Sequence, residues 1–219
     1  QLRNVGLTKV AVMYQNDAYG KAGLDGVQLA LAKHNLKPVA VATVERNSVD
    51  VAKAVETINA ASPEAVVQIS AYTSCAAYIR AARKAGYGGG FYNVSFVGTQ
   101  ALADELGKFG AGVVVSQVVP SPYSGGKAIS REFADAVRRS NGAVQSNYSS
   151  MEGYIAAKVL AEGLRRSGGK GGADGLMTAL ESINNMSMGG FNVNFSKADH
   201  VASTFVEMSM LTGDGKVRV

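Results

Sequence analysis

The chain has 219 residues, of which 47% are apolar, with 22 Lys and Arg against 17 Asp and Glu, a net charge of +5 and a pI near 9.3. The single cysteine, Cys75, excludes an internal disulfide and a cysteine zinc cluster, and the apolar content excludes wholesale disorder. The two histidines, His34 and His200, stand too far apart to suggest a His-rich metal site, and the basic residues are scattered. Most of them fall at expected helix ends (Arg80, Arg83 and Lys84; Arg138 and Arg139; Arg165 and Arg166), where cations complement the helix dipole. No basic stripe interleaved with aromatics marks a nucleic-acid face. Three uncharged stretches, 65–79, 85–103 and 109–126, are each broken by Gly, Ser, Asn, Gln or Pro, so none reads as a membrane span.

The first half alternates strand and helix. Residues 9–14 (KVAVMY) read as a strand buried on both faces. Residues 19–35 put Leu24, Val27 and Leu31 on one helical face. A second strand is expected over 38–44, then a helix capped by Asp50 and carrying Val51, Val55 and Ile58. A third strand follows at 65–69 (AVVQI), then a helix that Thr73 or Ser74 can cap and that stops at Gly86. A fourth strand is expected over 91–97, a short helix over 99–106 and a fifth strand over 112–118. Five strands alternating with helices imply an α/β fold, a Rossmann-like parallel sheet with helices on both faces.

Residues 120–126 (PSPYSGG) break this rhythm and read as a crossover. Three amphipathic helices are then expected: 128–140 with Ile129, Phe133 and Val137; 150–167 with Ile155, Val159, Leu160 and Leu164; and 174–183 with Leu176, Met177, Leu180 and Ile183. No strand separates them, so their apolar stripes lack a sheet of their own to cover. A strand over 204–212, a GDG turn at 213–215 and a terminal strand close the chain.

Catalytic signatures are missing. There is no G-x-S-x-G, no Walker sequence, and no G-x-G-x-x-G after the first strand. Ser124–Lys127 and Ser167–Lys170 match S-x-x-K only within Gly-rich linkers. Cys75, near a helix start, has no local base and reads as a half-buried structural thiol. What remains is a set of loops at the C-terminal ends of strands, where open α/β sheets bind ligands. With strand order 2-1-3-4-5, the loop with Asn16 and Tyr19 and the loop with Ala71 and Tyr72 flank the switch point, and Ser95 lies in the loop after strand four. Tyr19 and Tyr72 are either flat amphipathic walls or ordinary packing residues. Polar groups without an acid–base pair or metal describe binding rather than catalysis, and no cofactor is expected.

Five segments, in order, carry a family resemblance: KVAVMYQNDAYGKAGLDGV (9–27), PEAVVQISAYTSCAAYIRAARKAG (63–86), NVSFVG (93–98), EGYIAAKVLAEGLRRSG (152–168) and GGFNVNF (189–195). The chain resembles the type I periplasmic solute-binding proteins of ABC importers, in the leucine/isoleucine/valine-binding protein-like group, from the second lobe onward. A signal peptide and the start of the first lobe are expected to precede Gln1. The resemblance implies a ligand-binding lobe over 1–120 and 191–219, and the helical part of an incomplete second lobe over 121–190. It also implies a non-enzymatic periplasmic protein that closes its lobes on a small molecule and delivers it to a membrane permease. Tyr19 matches a cleft tyrosine of the family, Ala71 stands where a second one is found, with Tyr72 beside it, and Ser95 stands where an acid pairs with a ligand ammonium. Tyr148 lies near an aromatic contributed by the other lobe. The missing acid turns the expectation from a branched-chain amino acid toward a small organic acid, aromatic acid or amide. A ligand-sensing domain of a receptor or transcription regulator shares the fold, and the truncated chain is expected to hide its helix stripes by pairing as a homodimer or by repacking.

Overall fold

The computed structural model describes residues 2–219 and divides into two compact units: residues up to Ser116 with Met208–Val219, and Gln117–Glu207. In the first unit β1 (Val10–Gln15), α1 (Ala18–Ala32), β2 (Ala40–Val44), α2 (Ala52–Ala60), β3 (Ala65–Ile69), α3 (Tyr72–Lys84), β4 (Gly90–Val94), α4 (Thr99–Leu106) and β5 (Val114–Gln117) alternate as expected. The sheet order is β2-β1-β3-β4-β5, and β1 to β5 pair in parallel. Strands β8 (Glu207–Leu211) and β9 (Val217–Arg218), an antiparallel pair about the GDG turn, extend it beyond β5.

Right-handed crossovers dictate where the helices lie. The step from β1 to β2 runs opposite to the steps from β2 to β5, so α1 covers one face and α2, α3 and α4 the other. The second face is sealed: Ile58, Tyr78, Ile79 and Leu102 are fully buried against Val66, Phe91 and Val115. The α1 face is thinner. Strands β1 and β3 are buried on both sides, whereas β4 and β5 alternate between buried and half-buried. A continuous apolar run therefore marks only β1 and β3, the strands buried on both sides.

Several boundaries differ from expectation. Strand β4 ends at Val94, and Ser95–Val97 form a 3-10 turn. Helix α2 begins at Ala52 with Val51 as its N-cap and no side-chain cap bond, so Asp50 stands one residue outside the capping position, its amide donating to Ser48 Oγ. Helix α3 is capped by Ala71; Ser74 is buried and donates to the Ser48 carbonyl at 2.6 Å instead. The Gly86 stop holds: at φ +87°, its N–H donates to Arg83 O and the Tyr87 N–H to Ala82 O, satisfying the last carbonyls of α3. Cys75 is fully, not half, buried, and its thiol is pushed up from the ordinary value by that burial.

The second unit contains α5 (Ala128–Arg139), α6 (Tyr148–Ser167) and α7 (Gly172–Glu181). A short antiparallel pair the sequence did not announce follows, β6 (Met186–Ser187) with β7 (Asn192–Val193). Asn147 caps α6 in a reciprocal box with Ser150. Phe133, Ile155, Ile183 and Val193 are buried, but Leu160 stays 48% and Leu164 51% exposed. A mostly apolar cavity of about 460 Å³ opens among Ile155, Val159, Leu180 and Phe195. Three helices with two two-residue strands have more apolar stripe than this unit's own sheet can cover.

Candidate functional site

The C-terminal edge of the first unit's sheet gathers the loops after β1, β3 and β4, carried by adjacent strands. Gly20 makes the first of these possible: a Cβ there would sit 1.9 Å from the Gln15 carbonyl oxygen, so only glycine lets α1 start this close to β1. Asp17 caps α1, Oδ1 accepting from the Gly20 amide at 3.0 Å, while Oδ2 accepts from Gln15 Nε2 and from Arg46. The Gly20 amide first, then Gln15 and Arg46, hold the Asp17 carboxyl down near about 2. Asn16 is exposed; its Nδ2 donates to Glu45 Oε1 at 2.8 Å and its N–H to the Val44 carbonyl.

Tyr19, the first turn of α1, is half-buried with its hydroxyl inside and without a hydrogen-bond partner; burial raises that hydroxyl to about 12. Its ring lies 4.6 Å, centroid to centroid, from Phe96 at 45°. Ala71 presents the start of α3 in extended backbone (φ −74°, ψ 161°), and Tyr72 follows it, 38% exposed. Ser95, half-buried, opens the 3-10 turn, its carbonyl accepting from Gly98. Just inside the edge, Gln68 on β3 and Asn93 on β4 are register partners and buried; Gln68 Oε1 and both Asn93 amide atoms have no hydrogen-bond partner.

Asn16, Tyr19, Ala71, Tyr72 and Ser95 thus share one edge. Tyr148 belongs to the second unit, where it begins α6, is buried, and meets Tyr123 edge-on at 5.8 Å. Two residues at the edge have no local signal in the sequence: Glu45 and Arg46 follow β2 and reach the β1 loop by contacts 29 positions apart. Phe96, where the expected strand 91–97 overlaps the loop after it, lies in the 3-10 turn. Among the described residues no group of three or more His, Cys, Asp or Glu could hold a metal ion, and no helix is long and apolar enough to cross a membrane.

An open parallel sheet that gathers aromatic and amide groups at its C-terminal edge has the geometry of a small-molecule binding edge. A periplasmic binding protein profile matches residues 2–216, and the chain belongs to that family, with the type I fold. A substrate-binding periplasmic protein from Ralstonia solanacearum superposes with a TM-score of 0.88 at 29% identity, over 99% of this chain and 62% of that one. A possible leucine/isoleucine/valine-binding protein from Rhodopirellula baltica gives 0.87 at 28% identity, over 99% and 60%. An extracellular ligand-binding receptor from Verminephrobacter eiseniae gives 0.85 at 25% identity, over 100% and 62%. The chain therefore spans about 60% of the length of these structures. Comparison with curated proteins returned no significant match.

Proposed function

We propose that the chain is the larger part of a periplasmic receptor that captures a small organic solute for an ABC importer and hands it to the membrane permease. The solute is an amino acid, an aromatic or organic acid, or an amide, bound without chemical change and without a cofactor. Lobe closure on the solute is the mechanism, with ligand shifting an open–closed equilibrium by its better fit to the closed form. Asn16, Tyr19, Tyr72 and Ser95, with the backbone at Ala71, supply one half of the contacts, and Tyr148 belongs to the other half.

The observation that carries this reading is the convergence of polar and aromatic groups on the C-terminal sheet edge with no nucleophile–base pair among them. The family match and the periplasmic and extracellular relatives support it. A thermal-shift screen of the full gene product against amino acids, aromatic acids, organic acids and amides tests it. A saturable rise with one class is expected; a response to flavin or nucleotide alone would overturn it. Self-association through the exposed stripes of α6 and α7 is a corollary for the 219-residue chain. Light scattering checks it, and a monomer at every concentration counts against it.

A further inference from the structure

We propose that Phe96 contacts the solute and that, with the Tyr19 ring it stacks on, it selects an aromatic acid from the classes left open above; the inference rests on the receptor reading. Phe96 is the most exposed aromatic side chain among the described residues, at 69%. The core does not require it to face outward for want of an anchor: its neighbour Val97 is buried, as is Thr99 after the left-handed Gly98, and these fix the turn. An exposed aromatic held against a second ring on a well-anchored turn, at the edge where parallel sheets bind ligands, offers a binding surface.

The pair also has a shape. Its rings lie 4.6 Å apart and tilted by 45°, and the buried Tyr19 hydroxyl leaves ring carbon as the surface offered. Tyr72, 38% exposed, opens α3 just after β3, the strand between β1 and β4, and so adds a third ring to the same edge. Planar π-systems gain offset or edge-on ring contacts on such a shelf, in addition to the area an aliphatic solute would cover. Charge selects the polar end. Asp17 is committed to its helix cap and to Arg46, Glu45 to Asn16, and residues 70–75 and 95–99 carry no Asp or Glu that could pair with an ammonium. An anion also suits a chain of net charge +5.

Isothermal titration of the full gene product with benzoate, cyclohexanecarboxylate, benzamide and leucine separates ring, charge and amine. Benzoate is expected to bind about three- to tenfold tighter than its saturated analogue and than leucine, the scale of a good ring contact. Phe96→Ala should remove that preference and weaken benzoate at least about tenfold, with Tm moved by under about 2 °C because the side chain is exposed. Phe109→Ala, an exposed phenylalanine in the turn before β5, should leave the titration unchanged. Equal affinity for cyclohexanecarboxylate or leucine, or an unaltered Phe96→Ala titration, overturns the aromatic assignment while leaving solute capture intact. Silence toward all four probes overturns it as well, and the thermal-shift screen then decides separately whether the receptor reading stands.

Discussion

The two units solve the problem of covering an amphipathic helix in different ways. In the first, α2, α3 and α4 lie on a parallel sheet that belongs to the same unit, and Tyr78, Ile79, Leu102 and Phe91 are fully buried. In the second, α6 and α7 pack on each other, the unit's own sheet is a pair of two-residue strands, and Leu160, Leu164 and Met177 stay about half exposed. Helix propensity and patterning are similar in both. What differs is the amount of sheet each unit owns, so the same stripes earn a sealed core in one and an open apolar cavity in the other.

The comparison can be broken by truncating a large side chain in each unit. Phe91→Ala is expected to cost about 3–5 kcal/mol, a buried-aromatic deletion, whereas Leu164→Ala should stay within about 1 kcal/mol. Urea melts check this, and equal losses would mean that the second unit's stripe is covered. Next in size, Gly20→Ala should cost more than about 2 kcal/mol, because its methyl group would meet the Gln15 carbonyl; a neutral result would show that α1 can back away from β1. In the second unit, Asn147→Ala should cost about 1 kcal/mol by removing the α6 cap, readable as a lower Tm.

The smallest effect is electrostatic. The Asp17 carboxyl sits near about 2 in the folded chain, below its value of about 3.9 in an unfolded one, so the folded state favours the ionised form. Its contribution is complete above about pH 4 and is lost as pH falls through about 2. Asp17→Asn, which keeps a capping oxygen, should therefore be less stable than the parent at pH 6, with the gap closing toward pH 2. A gap independent of pH would contradict that cause.

Much of the first unit was legible because its signals are local. Apolar runs of five or six residues gave β1 and β3, Gly86 marked the end of α3, and the alternation of elements gave the parallel sheet, on which the assumed order 2-1-3-4-5 is the one observed. Features set by tertiary contact were not. Asp50 looks like a cap, but the helix starts one residue later, with Val51 at the N-cap; Ser74 looks like one, but its hydroxyl turns to Ser48 O. The 3-10 turn at Ser95–Val97 hides in an apolar run, so the end of β4 is not marked, and the contact of Phe96 with Tyr19, 77 positions away, has no local signal. The pair β6–β7 is too short to show alternation. At the site, the clustering of Asn16, Tyr19, Ala71, Tyr72 and Ser95 was readable from topology alone, whereas the engagement of Asp17 and Asn16 by Arg46 and Glu45 needed coordinates.

Backbone amide shifts recorded by NMR during titration with a solute that raises Tm test the central claim most directly. The account predicts that shifts in the first unit concentrate at residues 16–20, 70–75 and 95–99, on the C-terminal edge of the sheet, and leave the opposite edge near Val10, Ala65 and Gly90 unmoved. Shifts centred on that opposite edge, or on the outer faces of α2 and α3, would contradict it.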